Sequence, residues 1–176
     1  ALKDATLNTY LLDDDGETIS STGWVSVRPA ESSETYWCGE GGQLGSILVG
    51  ANKSYQLEVW TGGYNSQVIP RDPFTKCASG ASGSVTNCPI PTARLNKKLS
   101  GNFVDGDGNI ITPDSNGWIY VSANNGNTWL SADINDDRTG YEMNVSKGTW
   151  YIDVWNGWGG QYTAAAIKPK VVIGDN

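Results

Sequence analysis

The chain has 176 residues, a formal net charge of −7, 22 glycines, eight tryptophans, three cysteines and no histidine. The lack of histidine excludes Ser-His-Asp and Cys-His chemistry and most zinc sites, and the lack of clustered Lys and Arg excludes nucleic-acid binding. No run approaches the ~18 apolar residues of a spanning helix, so membrane insertion is not expected, and no window shows clean helical periodicity, which leaves short strands and many turns. The amino terminus Ala1-Leu2-Lys3-Asp4 has no charged-then-apolar leader, as expected where a leader has been removed or was never present.

The first predicted strand runs from Thr6 to Leu12. Leu7 and Leu11 fall on one face, Tyr10 and Leu12 on the other, and a strand apolar on both faces wants burial on both. An acidic turn, Asp13-Asp14-Asp15-Gly16, follows. Strands Trp24 to Arg28, Ser46 to Val49 and Tyr55 to Trp60 complete a first unit over residues 1–69. Residues 70–97, which hold Pro70, Pro73, Pro89 and Pro91, read as a connector. Within it, Cys77 and Cys88 bracket a Gly/Ser/Ala stretch and are expected to form a disulfide, contributing about 2–3 kcal/mol by loop closure. Such a bond implies an oxidising compartment: secreted, extracellular or on a cell surface. Cys38 is either a buried free thiol or a partner for one of the other two.

The second unit covers residues 98–176. Its predicted strands are Leu99 to Val104, Trp118 to Ser122, Gly140 to Val145, Trp150 to Trp155 and Tyr162 to Ile173. Pro169 interrupts the last of these and cannot donate to a ladder, so that strand lies at an edge or switches sheets. The two units echo each other. Leu12 to Gly16 matches Val104 to Gly108, Gly23 to Val27 matches Gly117 to Val121, and Tyr55 to Gly62 matches Trp150 to Gly157. The echoes lie roughly 92–95 residues apart, the mark of one structural unit used twice. Strand spacing with Gly, Asp and Asn turns predicts an antiparallel β-sandwich for each unit.

The order of strand, Asp-rich Gly turn, apolar strand and aromatic-x-φ-x-Val resembles carboxypeptidase-regulatory-like and collagen-adhesin B-type repeats. It is carried by Asp13 to Gly16 with Tyr55 to Val59, and by Asp105 to Gly108 with Lys147 to Val154. The resemblance implies an all-β fold of two tandem transthyretin-like, immunoglobulin-type sandwiches and an extracellular, non-catalytic role in bacterial surface proteins. Some collagen-adhesin B-type domains carry an internal Lys–Asn bond. Lys98 lies in the first strand of the second unit, but Thr6 takes the matching place in the first, so no bond is carried over.

Asp13 and Asp15, and Asp105, Asp107 and Asn109, offer alternating oxygens of the kind calcium takes. Asp-Gly is also a strong turn signal, and neither loop has a Glu at the bidentate closing position. The expectation is therefore a plain turn, no cofactor, and calcium as the competing reading. Trp24, Trp60, Trp118 and Trp155 recur at matched positions and are expected in the sandwich cores. Trp158 sits in a Gly-rich loop, and with Asn156 and Tyr162 it forms a candidate glycan-binding set. Glu58 and Asp153 occupy equivalent strand positions and read as solvent-facing carboxylates. Asn52 and Asn144 head acceptor patterns for N-glycosylation.

The leading functional expectation is a non-enzymatic structural subunit of a pilus-like surface fibre that polymerises with itself by strand donation. The expected donor is the amino-terminal strand, with Leu2, Ala5, Leu7, Tyr10 and Leu11 along it. The alternative is a monomeric adhesin or carbohydrate-binding module.

Overall fold

In a computed structural model, residues 2–19, 23–31, 40–61, 67–113, 119–156 and 168–174 are described. The chain divides into two compact units, Ala1–Arg94 and Leu95–Asn176. Every regular element among the described residues is a β-strand, and each unit is a β-sandwich.

In the first unit, β1 (Ala5–Leu12) is flanked on one edge by β2 (Thr18–Ile19) and β5 (Ser46–Val49) and on the other by β9 (Val85–Arg94), whose far end carries β7 (Val68–Pro70). The opposing sheet has the order β4 (Glu40–Gln43), β3 (Trp24–Pro29), β6 (Ser54–Trp60), β8 (Thr75–Ala78). Alternation along β1 turns Ala5, Leu7, Thr9 and Leu11 inward. They meet Val49, Cys88 and Ile90 from their own sheet and Val25, Val27, Leu57 and Val59 from the other in one core. Full burial of a leucine such as Leu7 or Leu11 contributes about 1.5–3 kcal/mol. The two faces are also tied covalently, because Cys77 of β8 is bonded to Cys88 of β9.

This placement corrects two expectations. Residues 70–94 are not a connector: they supply β7, β8 and β9 to the first unit. β9 runs parallel to β1, with Thr6 to Leu12 opposite Val85 to Pro91. The prolines that suggested a break lie where a strand tolerates them. The Pro91 carbonyl accepts from the Arg71 N–H on the β7 side at 3.0 Å, so the backbone groups of Pro91, and of Pro89 in the same phase, face away from β1. There a missing N–H costs no bond to β1. The second correction concerns the proposed donor. β1 is paired on both edges within its own unit. Leu7 and Leu11 are buried in its own core, leaving only Leu2 of the named donor residues strongly exposed.

The second unit repeats the two-sheet plan with seven strands among the described residues against nine in the first. β10 (Lys97–Asn102), β14 (Gly140–Val145) and β13 (Asp133–Ile134) make one sheet; β12 (Trp129–Ser131), β11 (Ile119–Asn124), β15 (Gly148–Asn156) and β16 (Lys170–Ile173) make the other. Leu99, Phe103, Met143 and Val145 are buried on the first sheet and Val121, Ala123, Trp150 and Ile152 on the second. Trp150 is fully enclosed, and its indole N–H donates to the Ser146 carbonyl at 2.9 Å. Tyr141 lies over Gly101, where a Cβ would meet its hydroxyl at 2.7 Å.

Three of the four matched tryptophans are described, and none of the three is a core residue. Trp24 is 50% exposed, Trp60 41% and Trp155 56%; Trp118 lies outside the described residues. Alternation explains this, because Val25 and Val27 on β3 and Leu57 and Val59 on β6 point inward, so Trp24 and Trp60 share the opposite face. Among the described residues the buried tryptophan is Trp150, in phase with Ile152.

Candidate functional site

The two acidic turns are built alike. The Asp13 carboxylate accepts through Oδ1 from the Asp15 N–H at 3.0 Å and the Glu17 N–H at 2.9 Å. Its Oδ2 accepts from Arg94 Nε at 3.0 Å and Nη2 at 2.7 Å. Asp105 accepts through Oδ1 from the N–H groups of Asp107 and Asn109, both at 2.9 Å, and through Oδ2 from the Asn109 side-chain amide at 3.1 Å. Gly16 at φ 79° and Gly108 at φ 85° close the turns in the left-handed region that glycine adopts without strain. The Arg94 guanidinium, helped by the Glu17 N–H, holds the Asp13 carboxyl below its ordinary range. The Asn109 side chain and N–H do the same for Asp105. These donors engage the Asp13 and Asp105 carboxylates, and among the described residues no group of three or more His, Cys, Asp or Glu gathers as a metal site.

Of the proposed glycan-binding set, Trp158 and Tyr162 lie outside the described residues. Asn156 ends β15, paired with Ile119. Cys38 is likewise outside. Lys98 stands opposite Asn144 on β14, but both are exposed and the Lys98 ammonium is ion-paired with Glu142 at 2.6 Å. Asn52 and Asn144 are both exposed.

A surface the sequence reading missed lies on the outer face of the β12-β11-β15-β16 sheet. Tyr120 pairs with Trp155, Ser122 with Asp153, and Asn124 with Tyr151. Trp129 stands opposite Asn124 on the next strand. Trp129 is 58% exposed and Tyr151 44%. Between the aromatic rings Lys168 bonds the Asp153 carboxylate, and its ammonium lies 6.0 Å from the Trp129 ring centroid. The Tyr120 hydroxyl meets Ser131 Oγ at 2.6 Å. Ser122 Oγ is buried on this face without a hydrogen-bond partner among the described residues. The first unit carries a counterpart in Trp24 opposite Trp60, Ser26 opposite Glu58 and Arg28 opposite Gln56. There Arg28 Nε donates to Gln56 Oε1 at 3.1 Å and its guanidinium stacks 4.4 Å from the Phe74 centroid. Ser122, and not the sequence-matched Tyr120, is thus the partner-for-partner equivalent of Ser26. The signal available in the sequence was strand phase, which already set Trp60 beside Glu58 and Trp155 beside Asp153.

No protein-family model and no curated protein sequence matches the chain. Among solved structures, a streptococcal ancillary pilin is similar at a TM-score of 0.55 and 11% identity; the match covers 99% of this chain and 60% of the pilin. The Bacillus anthracis TIE protein is similar at a TM-score of 0.39 and 12% identity, covering 99% of this chain and 32% of that one. The chain therefore spans about three fifths of the pilin it matches, and the likeness is one of fold.

Proposed function

We propose that this chain is a non-enzymatic, extracellular structural module of a bacterial cell surface, acting in a pilus-like fibre. The observation that carries the reading is the fold likeness to the ancillary pilin, which extends over 99% of this chain. The disulfide between the sheets supports an oxidising, extracellular setting. No resident cofactor is proposed; in each acidic turn the first carboxylate, Asp13 or Asp105, is engaged by the turn's own N–H groups. Self-association is proposed to use a sheet edge, with a donor other than β1. Withdrawing β1 would break its ladders with β2, β5 and β9 and expose Leu7 and Leu11. Negative-stain microscopy with light scattering, with and without chelator, tests the reading. Regular filaments insensitive to chelator are expected, and discrete monomers under all conditions would overturn the fibre role.

The exposed aromatic band of the second unit favours one further reading, an adhesin that stacks sugars on Trp129, Tyr151 and Trp155 while Asp153 and Lys168 take hydroxyls. Glycan-array binding lost in Trp129→Ala or Trp155→Ala is the expected result; binding unchanged in both would reject this face.

A further inference from the structure

We infer that the outer face of β3 and β6 in the first unit is a binding site for an alkylammonium group, the side chain of a lysine presented by a partner protein. The ammonium is held on the Glu58 carboxylate beside the Trp24 and Trp60 rings. The inference does not depend on the fibre reading. It rests on a constellation that the chain carries twice and fills with its own cation once. In the second unit Asp153 has Trp155 two residues on in the same strand, Ser122 opposite the carboxylate and Tyr120 opposite the tryptophan. In the first unit Glu58 has Trp60 two residues on, Ser26 opposite the carboxylate and Trp24 opposite the tryptophan. Side chains two apart on a strand share a face, and aromatic side chains reach their opposite and diagonal neighbours across a strand pair. In each unit the carboxylate and the two rings therefore stand together on the outside of the sheet.

The second unit shows what such a carboxylate takes. Lys168 bonds Asp153, and its ammonium lies 6.0 Å from the Trp129 ring centroid, so one cation engages a carboxylate and an indole together. The first unit has the carboxylate and the rings without the cation. All twelve Lys and Arg residues of the chain are among the described residues, and none of the ion pairs among the described residues involves Glu58. The cations nearest in register are turned to other positions. Arg28 donates to Gln56 Oε1 and lays its guanidinium on the Phe74 ring. Lys76 stands opposite Gln56, one outward position from Glu58, and is exposed. Glu58 is half-buried, while Trp24 and Trp60 are exposed.

The occupant's chemistry follows from these groups. A carboxylate beside two exposed indoles draws a cation both by charge and by the ring quadrupoles. A lysine side chain meets both, with its ammonium on Glu58 and its methylene stem along the rings. A neutral sugar would stack on the rings and leave Glu58 without a counter-charge, and an anion is disfavoured by Glu58 and by the net charge of −7. A single exposed ion pair contributes little by itself. The lysine is therefore assigned to a partner protein, whose neighbouring residues cover the two rings, and not to a free amine.

The test follows the tryptophan indole N–H signals of the isotopically labelled full chain as a capped Gly-Gly-Lys-Gly-Gly peptide is added. Trp24 and Trp60 should shift, and Trp129 should not, because Lys168 already occupies its surroundings. The same peptide with norleucine for lysine keeps the stem without the charge and should shift none of them. Glu58→Gln should weaken binding by at least about tenfold, and Trp60→Ala by about two- to fivefold. Both residues lie on the outer face, so the unshifted core signals confirm that each variant is folded. In Lys168→Ala the second unit loses its own cation, and Trp129 should then respond to the lysine peptide as well. Binding that survives Glu58→Gln, or equal binding of the norleucine peptide, would overturn the cation site. Shifts of Trp24 and Trp60 with a neutral oligosaccharide and none with the lysine peptide would overturn it in favour of sugars. Equal affinity for n-butylamine and the lysine peptide would overturn the polypeptide source.

Discussion

The first strands of the two units have the same place in their folds and opposite surroundings. β1 is a central strand, paired on both edges; β10 is paired with β14 alone among the described strands. Both begin from similar sequence logic, a short strand with buried apolar residues in one phase, Leu7 and Leu11 in β1 and Leu99 in β10, leading into an Asp-Gly turn. What separates them is not local. In the first unit the second partner is β9, a strand some 80 residues further along that returns to lie beside β1.

Removing β1 should break the comparison most severely. Deleting residues 1–9 should unfold the first unit, because Leu7 and the parallel ladder go with it, while near-native β10–β14 amide signals persist in the second. A deletion that left the first unit folded would show β1 to be dispensable.

Truncating one interior residue in each unit is the next largest change. Ile90→Ala should cost about 2–5 kcal/mol and Trp150→Ala about 3–5 kcal/mol in chemical unfolding. The first should report in the β1–β9 amides and the second in β15.

Breaking the Cys77–Cys88 bond by a double serine substitution should cost about 2–3 kcal/mol and lower the melting temperature of the first unit only. A matching fall in the second would mean the two units unfold together.

Acid should loosen the turns. The depressed Asp13 and Asp105 carboxyls contribute stability that is present above the ordinary carboxylate range and lost as pH falls through their lowered values. Below about pH 4 the melting temperature should therefore drop, and Asp13→Asn and Asp105→Asn should each flatten that drop. Asp13→Asn should have the larger effect, since only Asp13 is bonded to an arginine.

The smallest effect belongs to the exposed rings. Trp24→Ser and Trp155→Ser should change stability by no more than about 0.5–1 kcal/mol, far less than Trp150→Ala.

Much of this was legible in the sequence. The repeat, the all-β class, the pairing of strands around the Asp-Gly turns and the inward phase of Leu7, Leu11, Leu57 and Val59 all follow from local pattern. The burial of tryptophan is legible too, but strand phase decides it and matched position does not. Trp24 and Trp60 match the second unit because they share an exposed face, and Trp150 is buried because it alternates with Ile152. β9 was harder. Its prolines read as breaks, and only its partner shows that Pro89 and Pro91 turn their backbone to the edge away from β1. A parallel pairing between β1 and a strand this distant leaves no local trace. The aromatic band around Asp153 and Lys168 was hidden for a related reason, since it depends on β11 lying beside β15, a pairing that sequence order does not suggest.

Amide hydrogen exchange on the full chain in dilute solution tests the account most directly. The account predicts that Asn8 and Tyr10, whose backbone groups face β9, exchange at least roughly 100-fold more slowly than Ser100 and Asn102, their counterparts on β10, which pairs with β14 alone among the described strands. Equal, slow exchange at all four positions would mean that the β10 edge is already covered, and would contradict it.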